Sequence, residues 1–424
     1  MSTNRIGQKI ALFGNFGAGN LGNECTLQAM IHNLRRFVPQ VEIICVCTVP
    51  DETAASCNIP AFPVRERPLA RTNNRLFRLL RRIFVGIPLE LNRYVRAIKT
   101  LQGTDMLVMT GTGMLSDVGI LPLGLHYDIL RWSIVAKLCR CKLLFVSVGV
   151  GPIRRPLSRF FVKAALRLAD YRSYRDTFSK KYLEEIGFET TGDSVCPDLA
   201  FSLPRAVIPA HRQHDSEGAM VGVGLITHSR RRATSTDDET IYHDYIAKVA
   251  TFVGWLLERN YTVRLLIGDV AYDGHARQDL RLLLERGGLK YEGRKIIDEP
   301  ARSVGELLSQ LAATDIVVAS RFHNVVLALM LGKPVVAISF HEKVDALMSA
   351  VGLTEFCQDI EHIEIDKLKE QVIRLEEKAE NVRLQMEQKT EEWRRALDAQ
   401  YAHIFKGVPV RSSAVKGSNE SYEH

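Results

Sequence analysis

Short apolar runs alternate along the chain with longer segments in which apolar residues recur every three or four positions. The short runs are typical of buried β-strands, and the longer segments are typical of amphipathic helices. Because two parallel strands must be joined by a crossover, this alternation favours parallel sheets covered by helices. The pattern therefore predicts an α/β protein.

The first half of the chain contains one such series of strands and helices. Three of its strands run directly into glycines, namely Gly14, Gly111 and Gly149. A glycine at the C-terminal edge of a parallel sheet lets the backbone approach a ligand, and open α/β proteins bind their ligands at that edge. The predicted strands are 9–13, 41–47, 106–110 and 143–148, and the predicted helices are about 25–38, 127–138, 157–168 and 176–186.

A second series follows a polar stretch that contains prolines, which we interpret as a linker. Near the C-terminus, a charge-rich pattern at 366–405 predicts one or two long helices, and the small polar residues after it predict a disordered tail. The predicted strands of the second series are 221–226, 263–267, 295–297, 316–319 and 335–338, and its predicted helices are 242–258, 276–286, 304–311 and 324–331. The predicted divisions are an N-terminal domain at 1–203, a linker at 204–218, a C-terminal domain at 219–362, C-terminal helices at 363–410 and a tail at 411–424.

Length and composition agree with this division. A chain of 424 residues exceeds what one hydrophobic core usually organises, and 46% hydrophobic with 25% charged residues is ordinary for a globular protein. The first nine residues lack the apolar run of a secretory signal, and no stretch approaches the roughly 18–20 apolar residues that span a bilayer. We therefore expect a cytoplasmic protein. Its eight cysteines lack zinc-site spacing, so reduced thiols and no metal site are expected.

Positive charge is concentrated in one segment, residues 65–99, which holds ten basic residues against two acidic ones. Within this segment, arginines recur at helical spacing beside leucines. Such a basic amphipathic helix is typical of peripheral contact with an anionic membrane, here the inner membrane face, and equally of a solvated helix whose arginines cover the domain. No nucleic-acid-binding motif accompanies the segment, so nucleic acid is not an expected partner.

The glycine-rich loop GNFGAGNLGNE at 14–24 lies between a predicted strand and a predicted helix. It contains GxGxxG at 17–22, which nominally indicates a dinucleotide site. However, these glycines begin three residues late for that fingerprint, and asparagines stand where small or apolar residues are usual. A loop that binds a sugar or a phosphate through backbone N–H groups accounts for more of its residues. Its candidate ligand-binding residues are Gly17, Gly19, Asn20 and Glu24.

The run SRFHN at 320–324 leaves a predicted strand and enters a predicted helix. The first N–H groups of that helix would face the edge of the sheet, where they favour an anion. Arg321 adds a permanent charge and His323 adds a titratable proton carrier. Asn324 begins the helix, and the end of the next strand would bring Lys343 to the same edge. The alternative is a capping turn whose Arg321 and His323 make only structural hydrogen bonds.

Two further charged residues belong to the first half. Arg175 lies between a short strand and a helix, where it is suited to complete a charge clamp across a cleft. Asp198, in the run CPDLAF at 196–201, is placed to orient such an arginine. Equally, Arg175 alone would form an ordinary ion pair with Asp176 or Asp198.

These blocks, taken in order, resemble the polysaccharide pyruvyl transferase family over about residues 8–355. One departure is Asn23, where the family usually has aspartate in Gly-Asp-Glu. The matching blocks are GNFG and NLGNE within 14–24, GTG at 111–113, GVGP at 149–152, Arg175-Asp176 with Ser179, PDLAF at 197–201, RFH at 321–323, GKP at 332–334 and Lys343.

The resemblance implies two Rossmann-like domains facing a cleft, as in GT-B glycosyltransferases, with the acceptor on the N-terminal side and the donor on the C-terminal side. It implies transfer of a pyruvyl group from phosphoenolpyruvate to a saccharide as a ketal, in exopolysaccharide synthesis, with the acceptor free or lipid-linked. Phosphoenolpyruvate is a co-substrate, and no other cofactor is expected. Arg321, Arg175 and Lys343 would neutralise it, and His323 would act as acid or proton shuttle. The residues expected to bind substrate are Arg175, Lys343, Asn324, Gly17, Gly19, Asn20, Glu24, Gly111, Gly113 and Asp198, with Arg321 and His323 expected to be catalytic.

Two other functions remain open at this point. A nucleotide-sugar glycosyltransferase on the same fold would hold a diphosphate at Arg321 and His323, and Glu342 would then be the acidic residue that recognises a ribose. The other is a member without catalysis that binds a glycan or scaffolds a synthesis complex.

Overall fold

The computed structural model describes residues 8–65, 87–117, 120–209, 218–227, 236–288 and 295–405. Its first half is a seven-stranded sheet in the order β3-β2-β1-β4-β5-β6-β7, and every neighbouring pair is parallel. The strands are β1 (Lys9–Gly14), β2 (Glu42–Cys47), β3 (Ala61–Pro63), β4 (Met106–Thr110), β5 (Lys142–Val148), β6 (Tyr171–Tyr174) and β7 (Ser194–Val195). The helices are α1 (Leu21–Phe37), α2 (Pro50–Cys57), α3 (Ile87–Leu101), α4 (Leu125–Leu138), α5 (Pro156–Arg167) and α6 (Thr177–Glu185).

The second half repeats this plan with a six-stranded parallel sheet in the order β10-β9-β8-β11-β12-β13. The strands are β8 (Met220–Leu225), β9 (Thr262–Ile267), β10 (Ile296–Ile297), β11 (Ile316–Ala319), β12 (Val335–Ser339) and β13 (Cys357–Asp359). The helices are α7 (Thr236–Glu258), α8 (Gly274–Arg286), α9 (Val304–Ala312), α10 (Phe322–Met330), α11 (Glu342–Ala350), α12 (Ile365–Glu377) and α13 (Ala379–Phe405). The prediction of an α/β protein with two Rossmann-like halves is confirmed.

In each sheet the strand order reverses between the first and the fourth strand of that half, which are β1 and β4 in one sheet and β8 and β11 in the other. In doubly wound proteins such a switch point opens a crevice at the carboxyl ends of the strands. The loop after β1 leaves this point in the N-terminal sheet and contacts the C-terminal domain directly. The Leu21 N–H donates to the Gly268 carbonyl at 2.9 Å, and the Val270 N–H donates to the Gly19 carbonyl at 2.8 Å.

Two helices begin well before the positions that the apolar pattern predicts. Helix α1 begins at Leu21 rather than near 25, because the Asn20 side chain caps it by accepting from the Asn23 N–H at 3.2 Å. The residues LGN at 21–23 therefore form its first turn, although their composition is typical of a loop. Helix α7 begins at Thr236 rather than near 242.

The last helix crosses back to the N-terminal domain. Gln400 of α13 is buried, and its side chain accepts from the Ser173 hydroxyl at 2.6 Å and donates to the Ser147 hydroxyl at 3.0 Å. Tyr401 shares a hydrogen bond of 2.9 Å with the Ser202 hydroxyl. A buried polar network of this kind fixes the two elements in one arrangement, because each of its groups loses a partner if the helix moves.

Several predicted segments lie partly or wholly outside the described residues. Residues 204–209 of the predicted linker contain a short 3-10 turn, whereas 210–217 and the tail at 411–424 are outside the described part of the chain. The arginine-rich residues 66–86 are also outside it, and α3 is the described remainder of the basic segment. Among the helices that the structure describes, none has the length and apolar character needed to cross a bilayer.

Candidate active site

Three helices begin at one place in the cleft between the domains. Helix α6 follows Asp176, helix α10 follows Arg321, and helix α11 follows His341 and packs against the other two. A helix N-terminus carries partial positive charge and N–H groups without intrahelical partners. Their convergence makes this part of the cleft favourable for an anion.

His323 lies in the first turn of α10 and packs against the first turn of α1 from the opposite domain. A Cβ atom built on Gly22 would lie 1.9 Å from His323 Nδ1, so only glycine permits this contact. His323 Nε2 lies 3.8 Å from Asp198 Oδ2, too far for a hydrogen bond, and has no hydrogen-bond partner among the described residues. The imidazole thus packs against Gly22 on one side, and its Nε2 on the other side has no hydrogen-bond partner among the described residues.

Burial is the main reason why the pKa of His323 falls from its ordinary value of 6.5 to about 4. The carboxylate of Asp198 opposes this effect, whereas the positive charges of Arg175 and Lys343 reinforce it. At neutral pH the imidazole of His323 is therefore uncharged and able to accept a proton.

Arg175 reaches the same cluster from the N-terminal domain. Its Nη1 donates to Asp198 Oδ2 at 3.1 Å, and its guanidinium lies 4.4 Å from the ring centroid of Phe322. Gly149 makes room for it, since a Cβ there would lie 2.6 Å from Arg175 Cζ, whereas a Cβ on Gly113 would lie 3.7 Å from its Nη2 in ordinary contact. The predicted pairing with Asp198 is therefore present, and the arginine is buried within the cleft.

Lys343 brings a second cation to the Phe322 ring, from helix α11. Its Nζ lies 5.5 Å from the Phe322 centroid and 4.9 Å from the Phe340 centroid. Burial, followed by repulsion from Arg175 and Arg321, lowers its pKa from 10.5 to about 7. The two aromatic rings and a bound anion would both favour the charged form of Lys343 over its neutral form.

Arg321 pairs with an acid that follows strand β9. Its guanidinium makes a paired contact with the buried Asp273, with Nε at 2.9 Å from Oδ2 and 3.1 Å from Oδ1. Asp269 lies 4.0 Å from its Nη2. The charge of Arg321 is therefore balanced within the protein, and its predicted contact with the donor stays a prediction.

Asn324 is completely buried beside Arg321 and lies in a space that two glycines create. A Cβ on Gly224 would approach its Nδ2 to 2.9 Å, and one on Gly268 would approach its Oδ1 to the same distance. Neither side-chain atom of Asn324 has a hydrogen-bond partner among the described residues. Buried amides normally have partners, so the unpaired amide agrees with the expected contact to a substrate, which stays a prediction.

Several polar groups of the predicted ligand-binding loop at 14–24 form hydrogen bonds within the protein. The Gly17 N–H donates to Glu24 Oε1 at 2.8 Å, and burial raises the pKa of Glu24 to about 7. Asn20 Nδ2 donates across the domain boundary to Asp269 Oδ2 at 3.1 Å. Gly17 and Gly19 have φ angles of 77° and 81°, which residues other than glycine rarely adopt. These residues shape the loop and hold the domains together, and their contact with a substrate stays a prediction.

Two other positions from the sequence have structural contacts in this arrangement. Gly111 packs against the chain rather than facing the cluster, because a Cβ there would lie 2.7 Å from the Ser147 carbonyl and 3.0 Å from Leu199. Asn23, the departure from the family pattern, donates from its Nδ2 to the Asn15 carbonyl at 3.0 Å. An aspartate could not make that donation, because an ionised carboxylate has no hydrogen to donate.

Sequence reasoning missed Phe322, His341 and Asp273 as parts of this site. Phe322 lies inside the recognised run RFH and supports both cations. His341 caps α11 by accepting from the Lys343 N–H at 3.2 Å, and burial lowers its pKa to about 3. Asp269 and Asp273 both follow the buried strand β9. Acids in that position were the signal that could have indicated a partner for an arginine.

The model of the polysaccharide pyruvyl transferase family matches residues 20–342, which include the clustered side chains from both domains except Lys343, the residue that follows directly. The chain belongs to the polysaccharide pyruvyl transferase family. A curated relative of this transferase, the amylovoran biosynthesis protein AmsJ of Erwinia amylovora, is 20% identical over 381 residues, which cover 84% of this chain and 89% of the relative. The prediction of family membership is thereby confirmed.

Solved structures share the fold of this pyruvyl transferase family member. The S. aureus MnaA–UDP co-structure has a TM-score of 0.60 at 12% identity and covers 95% of this chain and 97% of that chain. A glycosyltransferase from Rickettsia africae has a TM-score of 0.57 at 12% identity, with 95% and 100% covered. The UDP-GlcNAc 2-epimerase of Methanocaldococcus jannaschii has a TM-score of 0.55 at 13% identity, with 86% and 92% covered. At such identities the likeness establishes the two-domain architecture and nothing of the chemistry.

Proposed function

We propose that this protein transfers the pyruvyl group of phosphoenolpyruvate to two hydroxyls of a saccharide, giving a ketal and releasing phosphate. The observation that carries the proposal is that Arg175 and Lys343, from opposite domains, lie against the same Phe322 ring. Beside them stands His323, with an unused ring nitrogen. Two cations and a proton acceptor thus meet where the cleft closes.

The donor requires this concentration of positive charge, because phosphoenolpyruvate carries a carboxylate and a phosphate. Arg175 offers planar hydrogen bonding to one of these groups and Lys343 offers a compact charge to the other. The N-termini of α6, α10 and α11 add N–H donors at the same place. Donor binding would also raise the pKa of Lys343, since an anion favours its charged form.

The reaction needs one proton added to the enol methylene and two removed from the acceptor hydroxyls. We assign the removal to His323, which is neutral when its pKa is about 4, and the nearby Asp198 would stabilise the imidazolium that forms. We assign the addition to the ammonium of Lys343. One acceptor proton leaves with the phosphate, whose bond to the donor carbon breaks as the second carbon–oxygen bond of the ketal forms.

The direct test is a screen of saccharide acceptors with purified protein and phosphoenolpyruvate. We expect phosphate release only when a suitable saccharide is present, together with a product heavier by one pyruvyl ketal. The His323→Gln variant should lose turnover while still binding phosphoenolpyruvate in calorimetry. Failure of the wild-type protein to bind phosphoenolpyruvate would contradict the proposal.

A nucleotide-sugar glycosyltransferase is the second candidate. Glu342 begins helix α11 at the edge of the cluster, and its side chain is 66% exposed, so it is free to meet a ribose. The same acceptor screen separates the two functions. A nucleotide-sugar that replaced phosphoenolpyruvate as the donor would favour the glycosyltransferase.

We further infer a role in making a cell-surface or exported polysaccharide inside the cell. AmsJ is named for the synthesis of amylovoran, and the proposed donor is a metabolite of the cytoplasm. Deletion of the encoding gene should leave a polysaccharide that lacks its ketal-linked pyruvate, as measured by acid release of pyruvate. Unchanged pyruvate content would contradict this role.

A further inference from the structure

Four large apolar side chains are exposed on one side of the N-terminal domain. Leu121 and Leu123, in the loop before α4, are 59% and 61% exposed. Leu157 and Phe160, in the first turns of α5, are 44% and 59% exposed. Single exposed apolar residues need no explanation, but a group on neighbouring segments indicates an interaction surface.

The two segments lie side by side. Arg155, which precedes α5, donates from its guanidinium to the Ile120 carbonyl, and its N–H donates to Asp117 Oδ2 at 2.8 Å. Ring contacts of 5.7 Å from Phe160 to Phe161 and 5.5 Å from Phe161 to Tyr127 continue the connection toward α4. The loop before α4 is therefore held against the start of α5.

The two segments are also basic. Arg154, Arg155 and Arg159 are exposed among the apolar side chains. The stretches 120–127 and 153–167 contain no aspartate or glutamate, and Asp128, which follows the first of them, is buried. We call the set of Leu121, Leu123, Leu157, Phe160, Arg154, Arg155 and Arg159 the basic apolar surface.

We propose that the basic apolar surface binds the anionic face of a lipid bilayer. Apolar side chains that enter the headgroup region beside arginines that meet lipid phosphates are the combination that such an interface selects. The three arginines complement the negative charge of anionic lipid. The surface adjoins the start of the segment 65–99 that the sequence indicated, because the Arg65 guanidinium donates to the carbonyls of Leu123 and Gly124, the latter at 3.1 Å.

The position of the basic apolar surface agrees with a substrate that arrives from the membrane. The loop that carries Arg154 and Arg155 begins at Gly149, which lies under Arg175. In the same loop, a Cβ on Gly151 would lie 3.2 Å from His341 Nε2. A saccharide borne on lipid would then reach the cluster along this loop, a consequence that rests on the proposed function, whereas membrane binding itself does not.

Flotation of the full-length protein with vesicles tests the proposal. We expect it to float with vesicles of phosphatidylcholine mixed with phosphatidylglycerol and to remain below with phosphatidylcholine alone. The double variant Leu157→Ser/Phe160→Ser should lose most of the bound fraction. Arg154→Ala should lower the partition coefficient about fivefold, since one basic residue near an anionic surface contributes about 1 kcal/mol.

A matched control lies on helix α3, where Leu91 and Val95 are 66% and 41% exposed. The variant Leu91→Ser/Val95→Ser removes two exposed apolar side chains from the same domain and should float as the wild type does. Equal loss in this control, wild-type flotation of Leu157→Ser/Phe160→Ser, or no flotation with either vesicle would overturn the proposal. Thermal unfolding of each variant shows that it is folded.

Discussion

Gly22 and His323 come from opposite domains, and a Cβ on the glycine would lie 1.9 Å from the imidazole Nδ1. The first turn of α1 therefore forms one wall of the His323 position. This contact links the glycine-rich loop to the proposed chemistry through packing, without requiring the loop itself to bind a phosphate.

We expect Gly22→Ala to displace the imidazole of His323 and to lower kcat by about 100-fold, since a misplacement near 1 Å of a catalytic group can cost that much. Steady-state kinetics with phosphoenolpyruvate and an acceptor measure the change. Gly305→Ala is the control, because Gly305 also lies in the first turn of a helix and a Cβ there would meet nothing within 4 Å. Equal kinetics of the two variants would show that the Gly22 contact is unimportant.

The lowered pKa of His323 makes folding stability depend on pH. Between its ordinary pKa of 6.5 and its folded value of about 4, the unfolded chain binds a proton that the folded protein does not. The free energy of unfolding therefore falls as the pH drops through this range, by up to about 3 kcal/mol from this residue. His323→Gln should lose less stability than the wild type between about pH 7 and about pH 4, as urea unfolding measures. Parallel losses in the two proteins would contradict the lowered pKa.

Lys343→Arg separates charge from proton donation at the cluster. Arginine keeps its positive charge and does not release a proton at accessible pH, so phosphoenolpyruvate should still bind while kcat falls by about 100-fold or more. In the wild type, kcat/KM should decline as the pH rises through the pKa of Lys343, about 7 in the free protein. If kcat/KM of Lys343→Arg declined over the same pH range as in the wild type, a group other than Lys343 would be the proton donor.

Arg175 and Asp198 form an ion pair whose side chains are only 4% and 3% exposed. Removal of the cation by Arg175→Met leaves a buried carboxylate without its partner and should lower the free energy of unfolding by about 3–5 kcal/mol. Arg36→Met is the matched control, because its pair with Asp398 is 51% and 43% exposed and should contribute less than about 1 kcal/mol. Chemical denaturation of both variants measures the difference, and equal losses would contradict a buried pair.

Gln400 connects the last helix to the N-terminal sheet. Gln400→Leu deprives the hydroxyls of Ser147 and Ser173 of a partner and should cost about 1–3 kcal/mol of stability. Gln388→Leu makes the same replacement at an exposed position of α13 and should change the stability by less than about 0.5 kcal/mol. A neutral Gln400→Leu would show that the buried network does not hold the helix.

Most of the sheet and its helices could be predicted, because a buried parallel strand needs a continuous apolar run. The strand ending at Thr110 and the strand spanning Ile316–Ala319 were both placed in this way. The start of α1 could not be predicted in this way, because its first turn is stabilised by the Asn20 cap and by contacts with the other domain. Composition alone favours a loop at those residues.

The candidate site was predicted in part. The turn at 320–324 places His323 in the cluster, as the order of strand, basic residue and helix indicated. The partner of Arg321 was not foreseen, because Asp273 lies 48 residues away and meets the arginine only when β9 and β11 stand on either side of β8. Charge alone did not show whether Arg321 serves a ligand or a neighbouring carboxylate.

The sequence by itself determined the architecture, the family and the loops that carry the chemistry, because these follow from local patterns and from the order of short motifs. The tertiary structure alone decided which charges are satisfied inside the protein, which face the cleft and which side chains share a surface. Those properties depend on distances between residues far apart in the chain. His323 and Gly22 are 301 positions apart, and their contact exists only because two sheets place their switch points face to face.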